Sequence, residues 1–293
     1  MSSDVILRIL AKEAGIRAMA AVTTDLVDEG ARRHKTAPLS TAVLGHGLTG
    51  AALLGALLKV EQRVALRVEG NGPAGRILAE SDAYGRVRGY VENTELAGPL
   101  PITRERVAEA IGSEGTLLVV KDLRLKNLVE SATPLHSGHL DENLTRYLLD
   151  SDQIPSVVRL GVQMSESGEL VAAGGLLAQV MPDYDPAAWE QVHARVMAVD
   201  PGHELAEGRT PDDLLAQIFE GIAYEVLERR DVRFQCTCNR AQIETVLLGL
   251  SVKDLRDLID DGGAEVTCQY CGEVYRFDVE DLLALIEKKT KET

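Results

Sequence analysis

The chain has 293 residues, of which 45% are hydrophobic and 26% charged, a composition typical of globular proteins. Its formal net charge of −15 argues against nucleic acid and anionic membranes as main partners, because proteins that bind phosphate backbones usually present a basic face. We find no uninterrupted apolar run of membrane-spanning length, and residues 1–9 lack the basic start of a secretory signal. We therefore expect a cytoplasmic protein that binds neither nucleic acid nor membrane.

Residues 1–181 mix strand and helix signals and are predicted to form a core domain. The apolar, β-branched segment 16–27 predicts a strand, and the glycine-rich apolar segment 38–59 predicts a helix that packs closely on a sheet. Further strands are predicted at 63–69, 76–80, 86–92, 116–121, 128–133, 157–164 and 170–179, and helices at 104–111 and 142–149. These elements predict an α+β fold with a mainly antiparallel sheet and packed helices.

Residues 182–232 are predicted to form a helical linker, which begins with the proline-bounded segment 182–186. One helix is expected at 187–199. A second begins at Thr210, with a capping residue, a proline at the first helical position and an acidic first turn. Its apolar side chains are predicted to share one face, an arrangement typical of core packing: Leu214, Leu215, Ile218, Phe219, Ile222, Val226 and Leu227.

Residues 233–293 are predicted to form a small C-terminal α+β domain. A capping box predicts a helix at 252–259, and segments 266–270 and 273–277 are expected to pair as a hairpin. Asp278 is expected to cap a final helix.

All four cysteines lie in this last segment: Cys236, Cys238, Cys268 and Cys271. The 235 residues before them contain none, so these cysteines are not scattered fillers of a hydrophobic core. In a cytosolic chain, two tight thiol pairs indicate metal or redox chemistry. Four thiolates fill the tetrahedral positions of zinc, and Gly272 suits the turn that follows a C-x-x-C pair. The spacing therefore predicts one bound zinc ion.

The spacing leaves open whether this zinc is structural or part of a switch. A closed four-cysteine site is most often structural. Three features favour a redox switch instead. A C-x-C pair is unusual in zinc ribbons, each pair is close enough to form its own disulfide, which would be strained in C-x-C, and a domain of this size often needs its metal to fold.

Other motifs are weaker. The segment from Gly70 to Gly75 matches G-x-G-x-x-G, but a strand is predicted after it, so we expect a turn and no nucleotide site. The run from His136 to His139 is predicted to be a surface loop, and His46 a buried or edge histidine with its hydrogen bonds made. No nucleophile elbow, phosphate-binding loop or acid–base pair is evident, and the chain is not expected to be an enzyme.

The segments Asp231–Cys238 and Glu265–Cys271 resemble the redox-switch domain of the bacterial redox-regulated thirty-three-kilodalton heat-shock protein family, which are holdase chaperones. Thr23-Thr24, the Gly70–Gly75 turn and segments 88–91 and 174–182 also resemble family segments in family order. One departure is the sequence that begins at Asn239, Asn-Arg-Ala-Gln, where the family tends to have a Ser-Arg-Glu-Arg-like run.

The resemblance implies a substrate-binding core at 1–181, a helical linker at 182–232 and a zinc-binding redox-switch domain at 233–293. It implies that the reduced, zinc-bound form is inactive. Peroxide or hypochlorous acid, together with unfolding stress, would form the disulfides Cys236–Cys238 and Cys268–Cys271 and release zinc. The linker would then unfold, the chain would form a homodimer, and unfolding client proteins would bind without ATP.

On this interpretation the apolar linker face covers the core reversibly, whereas the residues alone favour permanent packing. The main alternative is an enzyme of unknown reaction whose zinc domain is purely structural. A zinc-ribbon adaptor for nucleic acid is a second alternative, which the acidic charge opposes.

Overall fold

The computed structural model describes residues 4–291, without the side chain of Lys291. Residues 1–3 of the predicted core and 292–293 of the predicted zinc domain lie outside this range. The chain divides into two compact units, one ending at Gln235 and one beginning at Cys236.

The strands, in chain order, are β1 (Val5–Ala11), β2 (Ile16–Val22), β3 (Arg63–Gly70), β4 (Arg76–Asp82), β5 (Arg86–Val91), β6 (Gly115–Asp122), β7 (Val129–Pro134), β8 (Ser156–Met164), β9 (Leu170–Val180), β10 (Glu225–Asp231), β11 (Arg233–Phe234), β12 (Ala264–Thr267) and β13 (Val274–Phe277). The helices are α1 (Thr24–His34), α2 (Pro38–Ala56), α3 (Arg104–Ile111), α4 (Leu140–Asp150), α5 (Pro186–Ala198), α6 (Pro201–Ala206), α7 (Pro211–Ile218), α8 (Arg240–Leu248), α9 (Val252–Asp260) and α10 (Val279–Lys291).

The first unit contains two sheets. One has five strands in the order β10-β1-β2-β9-β8, and all of its pairs are antiparallel. The other has six strands in the order β11-β5-β4-β3-β6-β7 and is antiparallel except where β11 lies parallel to β5. The predicted α+β class with mainly antiparallel sheet is confirmed.

Helix α2 packs against strands of both sheets, and its glycines permit the close approach. A Cβ atom at Gly45 would lie 2.7 Å from a methyl carbon of Val162 on β8. A Cβ at Gly47 would lie 2.7 Å from a methyl carbon of Ile77 on β4. Helix α2 is long and apolar enough to cross a membrane by length and composition, which the sequence analysis did not expect, but its apolar window is 100% buried.

The strand predicted at 16–27 ends early, because a helix begins at Thr24. The N–H of Leu26 donates to the buried carboxylate of Asp4 at 2.7 Å, which satisfies one of the amides left free in a first helical turn. Asp25 adds an acidic side chain to that turn. The apolar, β-branched composition of the segment concealed this boundary.

The helix predicted from Pro211 through Leu227 is also shorter than expected. It ends at Ile218, and Gly221 then takes a left-handed backbone conformation with φ of +77°. Val226 and Leu227 lie instead on β10, where both are 51% exposed. The pairing of β10 with β1 overrides the helical spacing, because it satisfies the backbone of both strands.

The helices between residues 186 and 218 cover one face of the five-stranded sheet. Leu214, Leu215, Ile218 and Phe219 are each at most 2% exposed. They share a hydrophobic cluster with residues of strands β1, β2, β8 and β9, including Leu7, Ile9, Ile16, Val157 and Leu176. We call this cluster the linker-sheet core. The sequence-based expectation that these side chains pack in a core is met for α7.

The glycine-rich segment 70–75 joins the antiparallel strands β3 and β4. It therefore leads into a strand, and the phosphate-binding helix start of a dinucleotide site is missing here. A Cβ at Gly70 would lie 1.9 Å from the Ile111 carbonyl oxygen, so this glycine permits close approach to the end of α3. The predicted turn is confirmed.

The buried carboxyl group of Asp4 predicts a pH-dependent stability. Burial raises its pKa to about 6, so the folded state binds this proton more tightly than the unfolded state, whose aspartate keeps the ordinary value. Stability from this group is fully present below about pH 4 and falls as the pH rises through about 6, by up to about 3 kcal/mol.

Asp4→Asn does not titrate, so its unfolding free energy relative to wild type should increase between pH 4 and pH 7. Urea unfolding followed by the fluorescence of Trp189, the single tryptophan, measures this difference. Asp28→Asn, on α1, is the matched control and should leave the pH dependence of wild type unchanged. A difference between Asp4→Asn and wild type that is constant with pH would contradict the assignment.

Candidate metal centre

Four sulfur atoms converge in the second unit. The thiols of Cys236, Cys238, Cys268 and Cys271 are not joined by disulfides, and their sulfurs all lie within 4.8 Å of one another. The Cys236 and Cys268 sulfurs are 3.9 Å apart, and the Cys238 and Cys271 sulfurs are 3.4 Å apart. Each sulfur of the C-x-C pair thus has a close neighbour in the C-x-x-C pair, as a shared site requires.

The C-x-x-C pair lies in a tight turn between β12 and β13. The Cys268 carbonyl oxygen accepts hydrogen bonds from the N–H groups of Cys271 at 3.3 Å and Gly272 at 2.8 Å. Gly272 has φ of +70°, a conformation in which a side chain is strained. Backbone N–H groups of Tyr270 and Glu273 donate to the sulfurs of Cys268 and Cys271. The turn therefore orients two sulfurs through its own backbone.

The C-x-C pair is followed by α8, a helix that the sequence analysis missed. Asn239 caps it by accepting a hydrogen bond from the Gln242 N–H at 3.0 Å. The capping asparagine, followed by apolar Ile243 and Leu247, is the signal that was available in the sequence. This cap lies one residue after Cys238 and fixes how the chain leaves the site.

Arg240 connects the start of α8 to the second half of the unit. Its guanidinium donates to the Arg276 carbonyl oxygen at 2.7 Å and to the Asp281 carboxylate at 2.6 Å. It also lies over the Phe277 ring, 4.3 Å from the centroid. In the segment that departs from the family-like run, one arginine thus contacts β13 and α10.

A tyrosine completes the surroundings of the site. The Tyr275 hydroxyl, on β13, donates to the Cys238 sulfur at 3.2 Å. The sequence does not predict this contact, because nothing in the spacing of Tyr275 indicates that β13 brings it near the C-x-C pair. The hydrogen bond raises the pKa of Tyr275, which keeps the hydroxyl protonated.

The hydrophobic core of the second unit is small. Its fully buried apolar residues are Leu247, Leu255, Phe277, Leu282 and Leu285. Units of about sixty residues bury a modest fraction of their surface and often need a metal or disulfides to fold. The thiol cluster is therefore expected to contribute to folding when a cation is bound.

Burial raises the pKa of the Cys268 and Cys271 thiols, and Cys236 and Cys238 raise it further. Four thiolates at this separation would repel one another without a cation. A bound divalent ion reverses that balance and deprotonates its sulfur ligands. The cluster therefore favours protonated thiols or a metal-thiolate complex.

The donor set fits zinc. Four sulfurs placed 2.3 Å from one ion at tetrahedral corners lie about 3.8 Å apart. The Cys238–Cys271 and Cys236–Cys268 sulfur distances, 3.4 and 3.9 Å, lie on either side of that value. Within residues 4–290, this is the one cluster of three or more histidine, cysteine or acidic side chains arranged to hold a metal ion.

The histidines set aside in the sequence analysis have local roles. His136 and His139 lie in the loop before α4, where the His136 N–H donates to Asn143 at 2.9 Å and His139 precedes the first helical residue. His46 is 5% exposed, and its Nδ1 lies 2.8 Å from the Ala42 carbonyl oxygen. Burial lowers the pKa of His46 and keeps it neutral. Both expectations hold.

Comparison with known proteins assigns the chain to a class. The family model described as Hsp33 protein matches residues 4–278. The 33 kDa chaperonin of Geobacter sulfurreducens is 43% identical and covers 98% of this chain and 96% of its own length. That of Bacillus subtilis is 38% identical over 98% of this chain and 100% of its own length.

A solved structure agrees with the sequence matches. The crystal structure of the 33 kDa chaperonin from Thermotoga maritima matches with a TM-score of 0.90 at 33% identity, covering 99% of this chain and all of the other. The chain belongs to the Hsp33 family of chaperones. The predicted family is confirmed, and so is the prediction that the protein is not an enzyme, because this family is non-enzymatic.

Removing one sulfur should abolish tight metal binding. Cys271→Ser is expected to lower bound zinc from one ion per chain to near zero and to unfold the β12–β13 hairpin, because Cys271 is the most buried of the four thiols. Elemental analysis of purified protein, with amide exchange of residues 264–277, measures both effects. The control is Gln269→Ala, an exposed side chain in the same turn, which should retain zinc. Full zinc content in Cys271→Ser would contradict the ligand assignment.

Proposed function

We propose that this protein is a redox-regulated, ATP-independent holdase that is inactive while its four thiols bind zinc. Cys236, Cys238, Cys268 and Cys271 are the proposed ligands of a single zinc ion. The observation that carries the proposal is the convergence of two tight thiol pairs in a unit with a small core. Such a site combines metal-dependent folding with ligands that oxidants remove.

The proposed chemistry involves only the chain's own sulfurs and an oxidant. In each disulfide, Cys236–Cys238 and Cys268–Cys271, two thiolates give up two electrons to one peroxide molecule, which takes up two protons from solvent and becomes two molecules of water. Each disulfide removes two sulfur ligands, so both together leave no thiolate to hold the ion. The small hydrophobic core of the second unit is then expected to be too weak to keep it folded.

The chain leading into the first cysteine supports a route from the thiols to the core. Strand β10 pairs with β1, and β11 pairs with β5, so residues 225–234 extend both sheets of the first unit. The N–H of Gln235 donates to the Val87 carbonyl oxygen at 2.8 Å, and Cys236 is the next residue. Disorder that begins at Cys236 would fray β11 first, because that strand has two residues, and then β10.

The linker-sheet core is the apolar surface that fraying would uncover. Arg195 on α5 donates to the carbonyl oxygens of Ile218 at 3.0 Å and Glu220 at 2.7 Å and so ties α5 to the end of α7. Burying each leucine, isoleucine or phenylalanine side chain stabilises the folded state by about 1.5–3 kcal/mol. Separation of the helices from the sheet would expose apolar surface on both, which suits the capture of unfolded chains.

The same proposal divides the chain into a substrate-binding core at 1–181, a linker at 182–232 and a switch domain at 233–293. It assigns unfolding proteins as clients, a homodimer as the oxidised assembly and the cytoplasm as the location. The acidic net charge of −15 supports the absence of nucleic acid and anionic membrane among the partners. An enzyme with a purely structural zinc domain is disfavoured, because the family is one of chaperones.

A light-scattering assay tests the function. A chemically unfolded client is diluted into buffer with reduced or peroxide-treated protein, and its aggregation is followed. We expect the oxidised form to suppress aggregation near one chain per client, and the reduced form to have at most about a tenth of that effect. Equal suppression by both forms would contradict the switch, and no suppression by either would contradict the chaperone function.

Two protein variants in the same light-scattering assay test the role of the linker. Phe219→Ala removes a fully buried ring of the linker-sheet core at a cost of about 3–5 kcal/mol, so the reduced variant should already suppress aggregation in part. Met197→Ala, which truncates an α5 side chain that is 43% exposed, is the control and should behave as wild type. If reduced Phe219→Ala has a lower unfolding free energy than wild type but still does not suppress aggregation, the linker-sheet core is not the client-binding surface.

A further inference from the structure

The hydrogen bond from Tyr275 to Cys238 differs in kind from those to the other cysteine pair. The sulfurs of Cys268 and Cys271 accept from backbone N–H groups in their own turn. Cys238 accepts from a side chain 37 residues away in sequence, at 3.2 Å. This contact exists only while β13 is folded against β12. Unfolding of the hairpin would therefore remove a hydrogen bond from the Cys238 sulfur.

The hairpin itself fixes the position of the donor. Tyr275 lies opposite Val266 in the β12–β13 register, between the exposed Val274 and Arg276. The next buried residue, Phe277, is 2% exposed and anchors the end of β13 in the core of the unit. The hydroxyl therefore reaches the sulfur from a strand that is fixed by its pairing with β12 and by the burial of Phe277.

A hydrogen bond to a thiolate has a chemical consequence. It withdraws charge from the sulfur, which strengthens the anionic form and makes the sulfur a poorer nucleophile toward oxidants. Groups that donate to metal ligands also orient them, and their removal typically weakens metal affinity about 10–100-fold. A tyrosine hydroxyl at Cys238 has both effects on a single ligand.

We propose that Tyr275 is the positioning residue that restrains Cys238: its hydroxyl strengthens metal binding through that sulfur and slows its oxidation until the β12–β13 hairpin opens. This inference rests on the proposed function, since it assigns a regulator to the same thiol cluster. It explains in one contact how an oxidant and an unfolding stress can act together. Peroxide alone meets a hydrogen-bonded sulfur, whereas opening of the hairpin removes the donor.

The reaction that Tyr275 restrains is written on the chain's own atoms. The Cys238 sulfur attacks one peroxide oxygen, the O–O bond breaks, and the departing hydroxide takes up a proton to become water. The resulting sulfenic acid is attacked by the second thiol of the pair, Cys236, which forms the S–S bond and releases a second water. The hydroxyl of Tyr275 is not consumed.

The test compares Tyr275→Phe with two other variants of the full-length reduced protein. Tyr275→Phe deletes the donor and keeps the ring. Tyr84→Phe makes the same chemical change at a ring of the first unit that is 46% exposed, and it leaves the bond to Cys238. Val266→Ala shortens the cross-strand neighbour of Tyr275 and loosens the hairpin while keeping the hydroxyl. Zinc affinity is measured by competition with a chelator, and oxidation of each cysteine by alkylation and mass spectrometry during peroxide treatment.

We expect Tyr275→Phe to weaken zinc binding about tenfold and to accelerate oxidation of Cys238 severalfold at low temperature, beyond any change at Cys268 and Cys271. Tyr84→Phe should match wild type. Val266→Ala should accelerate oxidation of both cysteine pairs alike, which separates loss of the hydroxyl from loss of the fold.

Wild-type behaviour from Tyr275→Phe, within twofold in both measurements, would overturn the proposal. So would uniform acceleration at all four cysteines, because the hydroxyl would then act only through hairpin stability. If wild type itself binds no zinc, or keeps zinc after peroxide treatment, the proposed function fails, and this outcome is distinct from failure of the Tyr275 assignment.

Discussion

Four sulfur atoms within 4.8 Å of one another cannot all be ionised unless a cation lies among them, and this constraint governs the C-terminal unit. The two pairs come from segments 30 residues apart in sequence, so a bound ion would close a long loop. The protein supplies turn amides, a helix cap after Cys238 and the Arg240 contacts to hold the two segments in place. The hydrophobic core of this unit is small, and we expect metal binding to supply the remaining free energy that keeps the unit folded.

The first unit depends on a different kind of interaction. The linker-sheet core is apolar and contains no titratable or redox-active side chain among its buried members, so an oxidant does not act on it directly. Between the linker and the cysteines, the chain forms β10 and β11, which pair with strands of the first unit. This backbone pairing ends at Gln235, one residue before Cys236. The proposed regulation therefore separates the chemistry, which lies at the thiols, from the surface that binds clients. Strand pairing at an edge is well suited to this link, since a short strand is lost residue by residue from its free end.

The sequence predicted well what depends on local pattern and chemistry. Cysteine spacing identified the cluster, and the crowded glycines of α2 indicated a buried helix, because both signals reflect close approach that only certain residues allow. It failed where tertiary contacts decide. Val226 and Leu227 continue the helical spacing of α7, but they lie on β10, which pairs with β1. The start of α1 depends on Asp4, a distant carboxylate. The Tyr275–Cys238 bond has no sequence signature, because it follows from the register of a hairpin.

Amide hydrogen exchange on the reduced and the peroxide-treated protein tests most directly whether the thiols control the linker. The account predicts that oxidation lowers protection at least tenfold in α5, α7 and β10, while α2, buried between strands of both sheets, keeps its protection. Unchanged protection across residues 187–232 in protein that has formed both disulfides and lost its zinc would contradict the account.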